Sequence, residues 1–317
     1  MDDELYDVLI VGGGPAGLQA ALTLARARKR VVVADGGPRR NARAVHMNNF
    51  VSRDGIAPRD FRRAAREQLA KYPNVSFHDE PIASVTGHRG DFRAGAIRAR
   101  RVLLATGVVD DLPGIEGLQP LWGCSVFQCP YCHGWEAAGR RWGFHAPDAT
   151  LPHVVRFVTQ LRGWSPEVTL FTDRITDDLR ETLLTAGVTI ESAAIARLHG
   201  HGEQLEAVEL NDGRRIACDA LFMHPPQKQV PLVTALGVAL DEEGFVKVDP
   251  MTRETSVTGV YAAGDLVTRA QAAILAAATG MQAAAGINVE LTADLIAAGV
   301  PAATPPASRH ARGGTSE

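Results

Sequence analysis

The sequence predicts an α/β protein with parallel sheets, divided into two domains of which the second is inserted in the first. Three observations lead there. Short apolar runs at Asp7 to Val11, Val31 to Ala34, Arg101 to Ala105, Val168 to Phe171, Ala220 to Met223 and Gly259 to Ala262 have the length and content of buried strands. The Ala- and Leu-rich stretch Leu18 to Ala27 lies between the first two and completes a β-α-β unit of about 30 residues. The chain of 317 residues with 45% hydrophobic content is long enough to bury two cores.

Pro113-Gly114 and Gly117 mark one boundary, and the polar stretch Asp241 to Gly244 marks another before a strand expected near Phe245 to Val248. The expected first domain is therefore discontinuous, residues 1–115 and 246–297, with 116–245 inserted. Residues 298–317, rich in Pro, Ala, Gly and Arg without periodicity, are expected to be a disordered tail. The Arg-rich segment Arg59 to Arg66 fits a solvated helix face.

Net charge is −3 with acids and bases interspersed, which offers no footprint for nucleic acid or an anionic membrane. The start, Met1-Asp2-Asp3-Glu4, lacks the basic character of a signal peptide, and no run of 18 apolar residues suggests a membrane span. A cytoplasmic location is expected, with small molecules or a protein surface as partners. Of the four cysteines, Cys124, Cys129, Cys132 and Cys218, only the C-x-x-C pair has a spacing with chemical meaning. Zinc would need a second Cys or His pair at ligand spacing, and none is evident, so no metal is expected.

Gly12, Gly14 and Gly17 occupy the positions of G-x-G-x-x-G, with Pro15 and Ala16 between the last two, directly between a strand and a helix. Backbone amides and the helix N-terminus can there face a pyrophosphate, and Asp35 at the end of the next strand can accept ribose hydroxyls. The expected domains are thus Rossmann-like, three-layer and dinucleotide-binding. Two later segments, Ala105-Thr106-Gly107 and Gly259 to Asp265, resemble the second and third fingerprints of the two-dinucleotide-domain flavoproteins. That resemblance implies FAD. It puts Gly264 and Asp265 by the ribityl chain and pyrophosphate, and Gln271 and Ala272 at the start of a helix aimed at the isoalloxazine. Arg40, Asn41 and Asn49 lie where the family approaches the cofactor, although short polar residues in loops are also ordinary turn formers.

Cys129-Pro130-Tyr131-Cys132-His133-Gly134 places two sulfurs three residues apart, close enough for a redox disulfide. With flavin fingerprints on either side, residues 5 to 295 resemble the low-molecular-weight thioredoxin reductases. The resemblance implies that Cys132 faces the flavin, that Cys129 exchanges with substrate, and that the protein is a homodimer. The family's residue after the second cysteine is an acid/base Asp; here it is His133, an imidazole suited to taking a proton from an incoming thiol. C-x-x-C-H-G followed by Trp135 and Glu136 resembles the branch of dithiol oxidases acting on small metabolites, such as the gliotoxin and holomycin enzymes.

A reductase of this family needs a second G-x-G-x-x-G/A for NADPH, and the corresponding stretch, Arg141 to Thr150, keeps only Gly143. Phe144, His145 and Pro147 crowd a pyrophosphate, Asp148 repels it, and Arg174 stands alone where a basic cluster would meet a 2′-phosphate. Residues 116–245 are accordingly expected to be a degenerate pyridine-nucleotide-type domain carrying the dithiol, and NADPH binding is doubtful. The expected activity is FAD-dependent oxidation of a small-molecule dithiol to a cyclic disulfide, in natural-product biosynthesis or self-protection, with electrons passing through Cys129, Cys132 and flavin to O2 and H2O2 released. The alternatives are a thioredoxin reductase-like enzyme driven by NADPH or another donor, and a flavin-binding scaffold without turnover. His46, His145 and His224 receive no role. Trp122, Trp135, Trp142 and Trp164 fit core packing or the wall of an apolar pocket for a bicyclic dithiol.

Overall fold

The computed structural model describes residues 5–302. The acidic start and the part of the expected tail beyond residue 302 lie outside the described residues. Two compact units are present, one of residues 5–40, 59–109 and 227–302, the other of 41–58 and 110–226.

In the first unit, Leu5–Val11 pairs in parallel with Val31–Ala34 on one side and Ile97–Leu104 on the other, and Val31–Ala34 pairs onward with Val75–His78. The last residues of Ile97–Leu104 pair in parallel with Val260–Ala262. Alternation along the first strand sends Val8 and Ile10 to one face and Leu9 and Val11 to the other, so each face builds its own core. On the first face lie the helices Pro15–Arg26 and Ala273–Ala297, at backbone contact: a Cβ on Gly280 would stand 2.1 Å from the Ala16 carbonyl. On the second face lie Leu232, Val233, Val238, Phe245 and Val246.

The sheet is mixed rather than parallel throughout, because Asp91–Ala94 and Thr86–His88 join it antiparallel. Gly95, at φ +57°, and Ala96 alone separate Asp91–Ala94 from Ile97–Leu104, and a two-residue turn returns the chain straight upon itself.

The second unit holds a parallel sheet in the order Val188–Glu191, Glu167–Phe171, Arg141–His145, Ala220–Met223, Val126–Phe127. Helices Pro152–Leu161 and Asp177–Thr185 supply Val155, Val158, Leu161 and Leu183 to its core with Trp142 and Phe222. An antiparallel meander, Ile195–His201, Gln204–Leu210 and Arg215–Ala217, completes it.

The units divide at 109/110 and 226/227, not at the expected 115/116 and 245/246, and segment 41–58 joins the second unit. The shift has a physical cause: the apolar side chains between 232 and 246 are buried in the first unit's core. The strand expected at Phe245 to Val248 is reduced to one antiparallel bridge, Leu240 with Val246. The Arg-rich segment forms the helix Pro58–Leu69, whose Arg66 pairs with Asp79 at 2.8 Å on the surface. Among residues 298–302, Val300 and Ala302 pack against the first core, and the Ala302 carbonyl accepts a hydrogen bond from the buried Lys29.

Candidate redox site

The glycine turn of the first unit is built by backbone proximity. A Cβ on Gly12, at φ +114°, would lie 2.2 Å from the Ala105 carbonyl, and one on Gly17 would lie 1.9 Å from the Gly12 carbonyl. Gly14 differs: nothing stands within 4 Å of where its Cβ would be, and it caps the Pro15–Arg26 helix with no side-chain bond to the first-turn amides. Open space before uncapped helix amides suits a pyrophosphate. Ala16, like Gly17, is buried behind it. Asp35 accepts the Gly13 N–H at 3.2 Å and Arg39 at 3.1 Å, which fixes its carboxylate beside the turn. Ala105 donates to the Val11 carbonyl at 2.8 Å, and Thr106 leads into Gly107 at φ +66°.

Arg40, Asp265 and Gln271 are brought together. The Arg40 guanidinium donates to Asp265 Oδ2 at 2.9 Å and to Gln271 Oε1 at 2.6 Å, while Gln271 Nε2 donates to the Asp265 and Thr268 carbonyls. The Gly264 N–H, at φ +92°, donates to Thr279 Oγ1 at 3.0 Å, and Ala272 caps the long helix without a side-chain bond. Gln227, which exchanges amide hydrogen bonds with Gln271 at 2.7 and 3.0 Å, and Thr279 carried no signal in the sequence. Asn41 and Asn49, expected near the cofactor, fall in the second unit. Asn49 sits in a left-handed turn at φ +60°, closed by its N–H to Asp54 Oδ1 at 2.7 Å.

The dithiol follows the strand Val126–Phe127. Cys129 is extended, and Pro130–His133 then makes one helical turn, in which the Cys132 N–H donates to the Cys129 carbonyl at 3.2 Å. Gly134 lets the turn sit tight, since a Cβ there would press on the Pro130 carbonyl at 2.4 Å and the Trp164 ring at 3.0 Å. All four cysteines are free thiols. Cys129 is drawn down to about 7 by the Cys132 thiol, with help from the Cys132 and Tyr131 backbone amides and against its burial. The other two are inert by comparison. Burial pushes Cys218 up to about 12, and burial also raises Cys124 although Arg43 stands beside it.

The His133 ring stacks on Phe127 at 4.2 Å and 13°. Burial lowers its pKa, opposed more weakly by Glu136 and the Cys129 backbone, so the neutral imidazole is favoured. Its Nδ1 is buried and finds no hydrogen-bond partner among the described residues. Asn48 Nδ2 donates to the Cys132 carbonyl at 2.9 Å and to Glu136 Oε1 at 3.2 Å, tying the turn down from segment 41–58. Asn48 lines an open cleft of about 320 Å³ beside the turn, with Asn49, Asp54, Glu136 and the aromatic residues Tyr131, Trp135 and Trp164. Tyr131 meets Trp164 edge to face at 5.3 Å, and Trp135 is 86% exposed. Trp142 is a core residue, its indole N–H on the Ala137 carbonyl at 2.8 Å, and Trp122 packs against the meander's core.

Gly143, expected as the remnant of a second phosphate loop, is a packing residue in mid-strand. A Cβ there would lie 2.8 Å from both Leu221 and Phe171 side chains. In the loop that follows, the N–H groups of Ala146, Ala149 and Thr150 are bonded to Phe171, Arg174 and Asp148, and Pro147 has none. Asp148 also accepts the Thr150 hydroxyl at 2.6 Å and pairs with Arg174 at 3.3 Å; these contacts, Thr150 foremost, hold its carboxyl below the usual range. Phe144 is enclosed by Phe157 and His224, and His224 also meets the Gln128 carbonyl at 3.1 Å. His145 has its pKa lowered by burial, and His46 bonds the Gly55 carbonyl at 3.0 Å on the surface.

A dinucleotide cradle in one unit and an acidified dithiol in the other define a flavin-dependent oxidoreductase of the disulfide type. The chain belongs to the pyridine nucleotide-disulphide oxidoreductase family, whose model matches residues 6–150 and 159–283, and FAD is the family's flavin. It is 32% identical to thioredoxin reductase sirT of Leptosphaeria maculans, over 93% of this chain and 97% of that protein. Among solved structures it resembles an oxidoreductase from Agrobacterium tumefaciens, 35% identical with a TM-score of 0.83 over 91% of this chain and 99% of that one. HlmI is equally similar, 35% identical with a TM-score of 0.83, covering 93% of this chain and 95% of its own. Among the described residues no helix is long and apolar enough to cross a membrane.

Proposed function

We propose that this protein oxidises a small-molecule dithiol to its cyclic disulfide, with O2 as final acceptor and H2O2 as the second product. The observation that carries the direction is the loop after Arg141–His145, whose amides at 146, 149 and 150 are occupied by the protein's own acceptors. A phosphate arriving at those three amides finds them taken and meets the Asp148 carboxylate, which argues against NADPH as the electron source.

In the proposed cycle a substrate thiolate attacks Cys129 Sγ of the enzyme disulfide, and Cys132 leaves as thiolate. The second substrate thiol then attacks the substrate sulfur of the mixed disulfide, closing the product ring and expelling Cys129. A leaving thiol near 7, against about 8.5 for an ordinary thiol, favours that expulsion. His133, neutral and with Nδ1 unpartnered, takes the proton of the second thiol. Asn48 holds the Cys132 carbonyl and so positions the turn during exchange, a contact worth about 1 kcal/mol. FAD, held at the Gly12–Gly17 cradle, would supply a two-electron acceptor for the enzyme dithiol, one that O2 can reoxidise. Each turnover converts one dithiol and one O2 into one cyclic disulfide and one H2O2.

An oxygen electrode tests the overall equation with dithiothreitol as substrate. One O2 is expected to disappear per dithiothreitol, and catalase is expected to return half of it. Uptake without peroxide would contradict the proposed product.

A further inference from the structure

The cleft beside the dithiol has a charge pattern that bears on which dithiols enter it. Its lining residues include two carboxylates, Asp54 and Glu136, and no Lys, Arg or His. Both carboxylates are held by neutral donors: Asp54 by the Asn49 backbone N–H at 2.7 Å, Glu136 by the Asn48 amide at 3.2 Å. Their charge is therefore fixed in place without being neutralised by those contacts. Asn48 also bonds the Cys132 carbonyl, so the cleft and the redox turn share a side chain. Tyr131 and Trp135, on the turn itself or just after it, expose 59% and 86% of their surface. Exposed aromatic faces next to carboxylates offer stacking to a flat neutral ring or cation–π contact to an ammonium group, and nothing to a carboxylate.

We propose that Asp54 and Glu136 make this cleft a charge filter, admitting dithiols that are uncharged or cationic beyond the two sulfurs and disfavouring those that carry a carboxylate. The filter deepens the dithiol-oxidase reading and rests on it. A carboxylate-bearing thiol must bring its charge toward two others across partly solvated space. Repulsion of that kind amounts to about a tenfold loss in kcat/KM at low ionic strength and fades as the Debye length shrinks. Small acidic thiols of the glutathione type are thereby kept from idle turnover.

Dihydrolipoamide and dihydrolipoate test this directly, since they share one ring-closing dithiol and differ only in the amide or carboxylate at the far end. With the FAD-loaded enzyme, kcat/KM for the amide is expected to exceed that for the acid about tenfold at low salt. Salt at about 0.5 M is expected to bring the ratio to within about twofold of one. In Asp54→Asn/Glu136→Gln the ratio is expected to be near one at either salt, a change that a merely structural role for these carboxylates would not produce. If the double variant does not fold, Glu136→Gln alone and the wild-type salt series carry the test. A wild-type ratio near one, with dithiothreitol turned over normally, overturns the charge filter and leaves dithiol oxidation standing. Failure to oxidise any dithiol, dithiothreitol included, overturns both.

Discussion

Cys132→Ala is expected to retain FAD and to lose reduction of the flavin by dithiols, with turnover falling by roughly 10³-fold or more. Gly12, Gly14, Gly17, Asp35, Arg40 and Asp265 all belong to the unit that does not contain Cys132, so the cradle's own contacts are unaffected. Chemically the variant keeps Cys129 but has no partner sulfur, and a substrate thiol then has no disulfide to attack. A second readout isolates the local electrostatics. The Cys132 thiol is the largest cause of the lowered Cys129 pKa, so its removal shifts the midpoint of Cys129 alkylation by iodoacetamide upward from about 7. The sign follows from the cause: losing a donor to the thiolate destabilises the charged form. An unchanged midpoint would mean that the backbone amides of Tyr131 and Cys132 alone acidify the sulfur.

His133→Asn is expected to lower kcat/KM for dithiols by about 10²-fold near neutral pH, the lower end of general-base contributions. Burial lowers the imidazole pKa, so the neutral, proton-accepting form persists as pH falls through the range where an exposed histidine would become charged. The wild-type step that needs this base, deprotonation of the second substrate thiol, therefore weakens only below that range. In the variant, exchange depends on the substrate's own ionisation, which rises toward a thiol pKa of about 8.5. The gap between the two enzymes is thus widest at pH 6 to 7 (about one unit either way) and narrows toward about pH 9. Rapid mixing of oxidised enzyme with dithiothreitol across this range checks it. A constant ratio at every pH would make His133 a packing residue on Phe127.

The parts of the site that were legible in the sequence are those whose geometry is local. Gly12, Gly14 and Gly17 follow a strand and open a helix; Gly12 and Gly17 answer backbone contacts with Ala105 and within the β-α-β unit, and Gly14 leaves the space before the helix open. Asp265 and Gln271 were legible only through resemblance to a family, because their bonds with Arg40 span more than 200 residues. Asn48 was not legible: it reaches Cys132 across 84 residues from an irregular segment, and an isolated asparagine there reads as a turn former. The hairpin of Thr86–His88 and Asp91–Ala94 was missed because the first of these strands is three exposed residues without an apolar pattern. Residues 232–245, expected in the inserted domain, group with the first unit; their buried side chains, Leu232, Val233, Val238 and Phe245, follow no single helical or strand period that would mark a face in the sequence. Gly143 shows the limit of motif reading: it stood at a glycine position of a phosphate loop, yet its small size answers to Leu221 and Phe171 across the sheet.

Electron polarity is the central claim, and it is tested most directly by anaerobic mixing of the oxidised, FAD-loaded protein with NADPH or with dithiothreitol while the flavin absorbance is followed. The account predicts bleaching by the dithiol at a rate that supports turnover, none by NADPH on the same timescale, and full return of the oxidised spectrum when air is admitted. Rapid bleaching by NADPH would contradict it and make the protein a reductase.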